Sequence, residues 1–159
     1  MKDACVSEGR FRYLDHMTDA VIEAYGGTLE EAFENSALGL VNTMFDLTAT
    51  SNNISCSGDK EIQIEAKGFD LQSLLYDWLE KVMLVVLMQH ILLSDFKVKI
   101  SEEKVGDYNY LLSGIAKGER LNLEKHHYKI EVKAITYHEM EIKEEKERNR
   151  VTTRFLLDL

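Results

Sequence analysis

The sequence predicts an α+β fold in which two main helices pack on a largely antiparallel sheet of about six strands, all within a single domain. Three observations carry that expectation. Two stretches, one after Thr28 and one after Asp70, repeat apolar residues at helical spacing behind a capping residue. A larger number of stretches alternate apolar and polar residues at the strand period, and a Gly106-Asp107 turn joins two of them as a hairpin. The length of 159 residues suits one domain, and 45% hydrophobic with 30% charged residues suits a chain that buries a substantial core.

Residues 1–10 read as a flexible N-terminal tail, because Ser7, Glu8 and Gly9 offer little to bury, and the folded domain spans 11–159. Val21, Glu23 and Tyr25 alternate with Ile22 and Ala24 in a short strand that stops at Gly26-Gly27. Thr28 and Glu31 form a capping box, opening a helix to about Phe45 with Leu29, Ala32, Phe33, Ala37, Leu40, Val41 and Met44 facing the core. The Ser-, Thr- and Asn-rich stretch 48–59 reads as a loop, and Lys60 to Lys67 as a half-exposed strand. Asp70 caps a second helix, with Leu71, Leu74, Leu75, Trp78, Val82, Val85 and Val86 in register, expected to be the central core helix. His90 falls at its end, where an imidazolium suits the helix dipole.

The second half reads as strands. Phe96, Val98 and Ile100 alternate with lysines before the Gly106 turn and a return strand to Lys117, and Asn122 to His127 makes one short turn. Ile130 to Ile142 is the longest strand-like run, with Val132, Ala134, Thr136, His138, Met140 and Ile142 on one face and Lys133, Ile135, Tyr137, Glu139 and Glu141 on the other. Glu139 to Arg150 reads as an exposed hairpin tip before a last strand, Val151 to Leu157.

A formal net charge of −9, from 19 basic against 28 acidic residues, argues against direct nucleic-acid binding through phosphate neutralisation. It suits cation binding or a basic protein partner, and equally a surface kept soluble by its charge. Cys5 and Cys56 stand alone, which points to a cytoplasmic setting without a disulfide framework or zinc ribbon. Val82 to Leu93, broken by Gln89 and His90, falls short of the roughly 20 apolar residues of a membrane span. No membrane segment is expected.

Chemistry concentrates in three places. Asp15, His16, Thr18 and Asp19 crowd one short stretch, offering carboxylate and imidazole donors for a cation, or caps and turn bonds to nearby backbone. Lys133 is flanked on its face by Ile135, so it is either partly desolvated and poised for a phosphate or carboxylate, or snorkels to water. Asp158 and the Leu159 carboxylate set two anionic oxygen groups directly after the apolar run Phe155-Leu156-Leu157, which wants burial rather than fraying.

Taken in order, Tyr-Leu-Asp-His-Met-Thr-Asp at Tyr13 to Asp19, Gly-Gly-Thr-Leu-Glu-Glu-Ala-Phe at Gly26 to Phe33, Asp-Leu-Gln-Ser-Leu-Leu at Asp70 to Leu75, Glu-Val-Lys-Ala-Ile-Thr-Tyr-His-Glu-Met at Glu131 to Met140, and Asp158-Leu159 resemble the archease family from about Phe11 to the last residue. The Glu131 to Met140 match is the most specific. One motif departs: His16-Met17-Thr18-Asp19 stands where the family has His-Thr-Ala-Asp, so Met17 replaces a threonine while the His-to-Asp spacing is kept. The resemblance implies a metal site at Asp19, Asp158 and Leu159, a functional lysine at Lys133, and His16 as a further functional or partner-facing residue. It implies an accessory protein, not itself the catalyst, that helps the GTP-dependent RNA ligase of tRNA splicing become guanylylated and turn over repeatedly. The implied all-oxygen donors suit a divalent cation, Ca²⁺ first, then Mg²⁺ or Mn²⁺. Two other classes remain open from the residues: a metal-free, chaperone-like binding module, and an independent metal-dependent hydrolase with His16 or Glu23 as its base.

Overall fold

The computed structural model describes residues 9–14, 19–47 and 58–159. Seven strands and two long helices follow one another as β1 (Phe11–Leu14), β2 (Ala20–Gly26), α1 (Leu29–Met44), β3 (Lys60–Gly68), α2 (Leu71–Gln89), β4 (Ile91–Val105), β5 (Tyr108–Arg120), β6 (Ala134–Glu145) and β7 (Arg150–Asp158). The α+β class is as the sequence predicts. The single sheet is not: the strands divide into a four-stranded sheet in the order β1-β2-β7-β6 and a three-stranded sheet in the order β3-β5-β4, with antiparallel pairs throughout. Which strands hydrogen-bond across the chain leaves no mark in local periodicity, and so one sheet and two look alike in sequence.

Helix α1 packs on β2 and β7 of one sheet and on β4 of the other. Helix α2 likewise bridges the sheets, through β6 of one and β3 of the other, but α1 is the more deeply buried of the two. Ala32, Phe33 and every residue from Asn35 to Met44 are buried, whereas α2 leaves Leu84, Leu87 and Met88 exposed. Burying a helix on all sides requires its polar groups to find partners inside the protein. Asn35 donates to the Tyr25 carbonyl at 2.6 Å and accepts from Arg10 Nε at 2.8 Å. Asn42 donates to Tyr13 Oη at 2.9 Å and accepts the Leu47 N–H at 2.8 Å. Ser36 Oγ bonds the Ala32 carbonyl at 2.7 Å and Thr153 Oγ1 at 2.6 Å. Gly39 lets the helix approach β2 closely, since a Cβ there would stand 2.9 Å from Ile22 Cγ2.

Thr28 accepts the Glu31 N–H at 3.1 Å, and the reciprocal capping box is complete at α2, where Ser73 N–H donates to Asp70 at 2.8 Å and Ser73 Oγ accepts from Asp70 N–H at 3.2 Å. His90 closes α2 in the left-handed region at φ 56, a conformation that L residues other than glycine adopt at a cost of about 1–2 kcal/mol. Trp78, fully buried, donates its indole N–H to the Phe33 carbonyl at 3.0 Å and ties the two helices together. No described helix is long and apolar enough to cross a membrane.

The run from Ile130 to Ile142 is not one regular strand. Strand β6 starts only at Ala134, and between Thr136 and Glu141 its register against β7 shifts: Thr136 faces Leu156, while Glu141 faces Arg154. Glu139, at φ 59, sits inside the bulge, and Tyr137 stacks on Tyr76 of α2 at 4.4 Å. In an unbroken strand Ile135 and Glu141 would share a face. Here Ile135 is buried against the core and Glu141 is exposed. The bulge thus resets the alternation and aligns Glu141, Lys143 and Glu145 with the partly exposed Arg154, Thr152 and Arg150 of β7.

Candidate functional site

The site is built by the register of three adjacent strands. Ala20, the first residue of β2, faces Leu157, so Asp19 and Asp158 leave the same end of neighbouring strands. On the other side of β7, Ala134 faces Asp158, and the Lys133 N–H donates to the Asp158 carbonyl at 2.8 Å. Asp19, Asp158, Leu159 and Lys133, four residues spread over the length of the chain, therefore meet at one sheet end. The strand beneath them is fixed: Phe155 and Leu157 are fully buried and Leu159 packs against the core. Asp158 and Lys133 are exposed and Asp19 is partly so, an arrangement in which charged groups are held by their backbone and face water.

His16, with Asp15, Met17 and Thr18, lies outside the described residues. The ground on either side of it is polar and ordered by packing. Tyr13 Oη accepts from Asn42 at 2.9 Å and from Thr43 at 3.3 Å, and burial pushes its phenol above the usual range against the pull of those two bonds. Lys129 Nζ stands 5.6 Å from the centre of the Tyr13 ring, and burial around the ammonium lowers its pKa while Asp46 opposes the shift. Periodicity gave Lys129 no prominence. Its backbone N–H bonds the Met44 carbonyl at 2.8 Å beside the Phe45–Tyr128 bridge, a tertiary docking that only the fold creates. Lys133, by contrast, precedes β6 and is exposed while Ile135 is buried, so the two do not share the apolar setting the alternation suggested.

Glu23, the other candidate base, is fully engaged. Arg12 pairs with its carboxylate at 2.8 Å and Tyr25 Oη donates to it at 2.5 Å. Burial alone would raise its pKa, but the bonds from Tyr25 and Arg12 prevail and hold it below the ordinary carboxylate range. Such a group is a poor proton acceptor near neutral pH. Among the described residues, no three His, Cys, Asp or Glu side chains cluster as a metal-holding group.

The sequence pattern of the Archease protein family (MTH1598/TM1083) matches residues 11–159. This chain belongs to the archease family. A relative named Protein archease from Pyrococcus furiosus is 41% identical over 133 residues, covering 84% of this chain and 87% of its own length. Its counterpart from Methanothermobacter thermautotrophicus is 38% identical over 149 residues, covering 94% of this chain and 98% of its own. The solution structure of Methanobacterium thermoautotrophicum protein 1598 superposes with a TM-score of 0.73 at 38% identity, covering 95% of this chain and 99% of that one. The archease match embraces every element that builds the sheet end, from β1 to Leu159.

Proposed function

We propose that this archease-family chain is a metal-binding accessory protein that activates the GTP-dependent RNA ligase of tRNA splicing in the cytoplasm, promoting guanylylation and repeated turnover without catalysing ligation itself. The observation that carries the reading is the convergence of Asp19, Asp158 and Lys133 at one end of the β2-β7-β6 sheet. Two carboxylates on adjacent strands, joined by the Leu159 carboxylate, form an all-oxygen donor set of the kind hard cations take, so the residues fit Ca²⁺, Mg²⁺ or Mn²⁺ better than Zn²⁺. A divalent cation held there supplies positive charge for orienting phosphate oxygens in the partner's site. The chain's own part is positional. Its buried β7 keeps Asp158 in place, and Lys133, anchored through its backbone to Asp158, carries a flexible cation toward an anionic group of the partner. A net charge of −9 favours docking on a basic, nucleotide-binding surface.

The hydrolase reading loses support because Glu23 is tied to Arg12 and Tyr25. Calorimetric titration with Ca²⁺, Mg²⁺ and Mn²⁺ tests the proposed site. Asp158→Asn, and residues appended after Leu159, should each weaken cation binding with the fold intact, whereas residues added before Met1 should not. Tight zinc binding that survives both Asp158→Asn and Asp19→Asn would remove the site.

A further inference from the structure

The outer face of the four-stranded sheet carries a second concentration of chemistry, separate from the sheet end. Arg12 of β1, Glu23 and Tyr25 of β2, Arg150, Thr152 and Arg154 of β7, and Glu141, Lys143 and Glu145 of β6 line a cleft of about 430 Å³ together with Arg148. Register explains their meeting: Glu23 and Glu141 flank Arg154, Tyr25 and Lys143 flank Thr152, and Glu145 faces Arg150. The β6 bulge is what turns Glu141 and Lys143 to this side.

Five cations face three carboxylates here, in a protein whose overall charge is −9. Two of those carboxylates already have cationic partners, Glu23 with Arg12 at 2.8 Å and Glu145 with Arg148 at 3.6 Å. The guanidinium of Arg150 lies over the Tyr25 ring at 4.1 Å, which fixes its plane. Arg154 Nε is buried and, among the described residues, is the one buried side-chain nitrogen or oxygen without a hydrogen-bond partner. A buried, unsatisfied guanidinium donor is costly unless an acceptor completes it. Planar guanidinium groups on one face of β7, Arg150 and Arg154 on either side of Thr152, suit the oxygens of a phosphate or pyrophosphate reached by both long side chains, and the cleft volume suits a small molecule rather than a long polymer.

We infer that this cleft is a binding site for a small phosphorylated ligand, with Arg150 and Arg154 gripping the phosphate oxygens and Lys143 adding charge. The site stands apart from the sheet end, since Arg154 precedes Asp158 by four residues of strand, or about 13 Å. It does not depend on the metal or ligase reading.

Calorimetry of the full chain with inorganic pyrophosphate tests it, with AMP as a second probe and a short single-stranded RNA as a third. One pyrophosphate should bind per chain, and Arg154→Gln should weaken it roughly tenfold or more, the loss expected for a charge-assisted hydrogen bond. Arg150→Gln should weaken it comparably, which keeps the test decisive if circular dichroism shows that Arg154→Gln does not fold. Lys99→Gln, on the three-stranded sheet, should leave binding unchanged. Tighter binding of AMP than of pyrophosphate would assign a nucleotide, and the reverse a polyphosphate. Absence of pyrophosphate binding at millimolar concentration, or full affinity in both arginine variants, overturns the site. RNA binding more tightly than pyrophosphate through the same arginines overturns the small-ligand assignment.

Discussion

The buried hydroxyl pair between α1 and β7 gives an asymmetric expectation that proton counting fixes. Ser36 Oγ sits 2.7 Å from the Ala32 carbonyl, which can only accept, so the serine proton is committed there. The 2.6 Å contact with Thr153 must then use the threonine proton, with Ser36 Oγ accepting. Thr153→Val removes a donor and leaves Ser36 still bonded to its helix, costing about 0.5–1.5 kcal/mol, the net worth of one hydrogen bond. Ser36→Ala instead strands the Thr153 hydroxyl proton in a fully buried position, costing about 1–3 kcal/mol, less the ~0.5 kcal/mol that alanine gains over serine as a helix former. The double variant replaces both partners with apolar groups and should cost less than the two single changes added together. Urea unfolding followed by the fluorescence of Trp78, the one tryptophan, reads all three. In a chain of 159 residues, 1 kcal/mol corresponds to roughly 2–4 °C in Tm. Strict additivity of the two changes would refute the coupling, and a loss for Thr153→Val exceeding that for Ser36→Ala by more than about 1 kcal/mol would refute the assigned proton positions.

Burial raises the pKa of Glu34 against the pull of the Val98 N–H that donates to it at 3.0 Å; the folded protein then holds that proton more tightly than the unfolded chain, so this group's contribution to stability falls as pH rises from the unfolded value through the folded one. Glu34→Gln, which keeps an acceptor for Val98, should flatten that part of the stability profile in thermal melts from pH 4 to 8, and an unchanged profile would show that Glu34 does not contribute. Lys133→Ala should melt within about 2 °C of the parent, as an exposed substitution within about 0.5 kcal/mol allows, yet on the proposed function lose stimulation of the ligase. Parental stimulation by that variant would take Lys133 out of the site.

The elements themselves were largely legible in the sequence. Thr28 and Asp70 stand at the N-caps they suggested, the Gly106 turn closes the β4–β5 hairpin with φ 60, and Phe155 and Leu157 are buried as their run implied. What escaped local reading depends on contacts between distant segments. Asn35, Ser36, Asn42 and Thr43 look like a solvent face of α1 but are buried, because Tyr25, Thr153, Leu47 and Tyr13 satisfy them from elsewhere in the fold. The β6 bulge breaks a period that looks continuous through Ile142, since nothing in His138-Glu139 announces a left-handed backbone. Asp19 and Asp158 could be named from family motifs, yet only the Ala20–Leu157 and Ala134–Asp158 pairs bring them and Lys133 to one place. The arginine cleft was invisible for the same reason, its members coming from four strands and a turn.

In the proposed function the sheet end acts on a partner ligase through a bound cation. The most direct test is the rate of guanylylation of the cognate GTP-dependent RNA ligase, measured with GTP and a divalent cation in the presence of the parent chain, the Asp19→Asn variant, or neither. The parent should accelerate guanylylation and sustain repeated turnover, and Asp19→Asn, folded by circular dichroism, should lose most of that stimulation. Equal stimulation by the variant would contradict the metal-dependent mechanism and favour a metal-free binding module. No stimulation by the parent chain would contradict the accessory role itself.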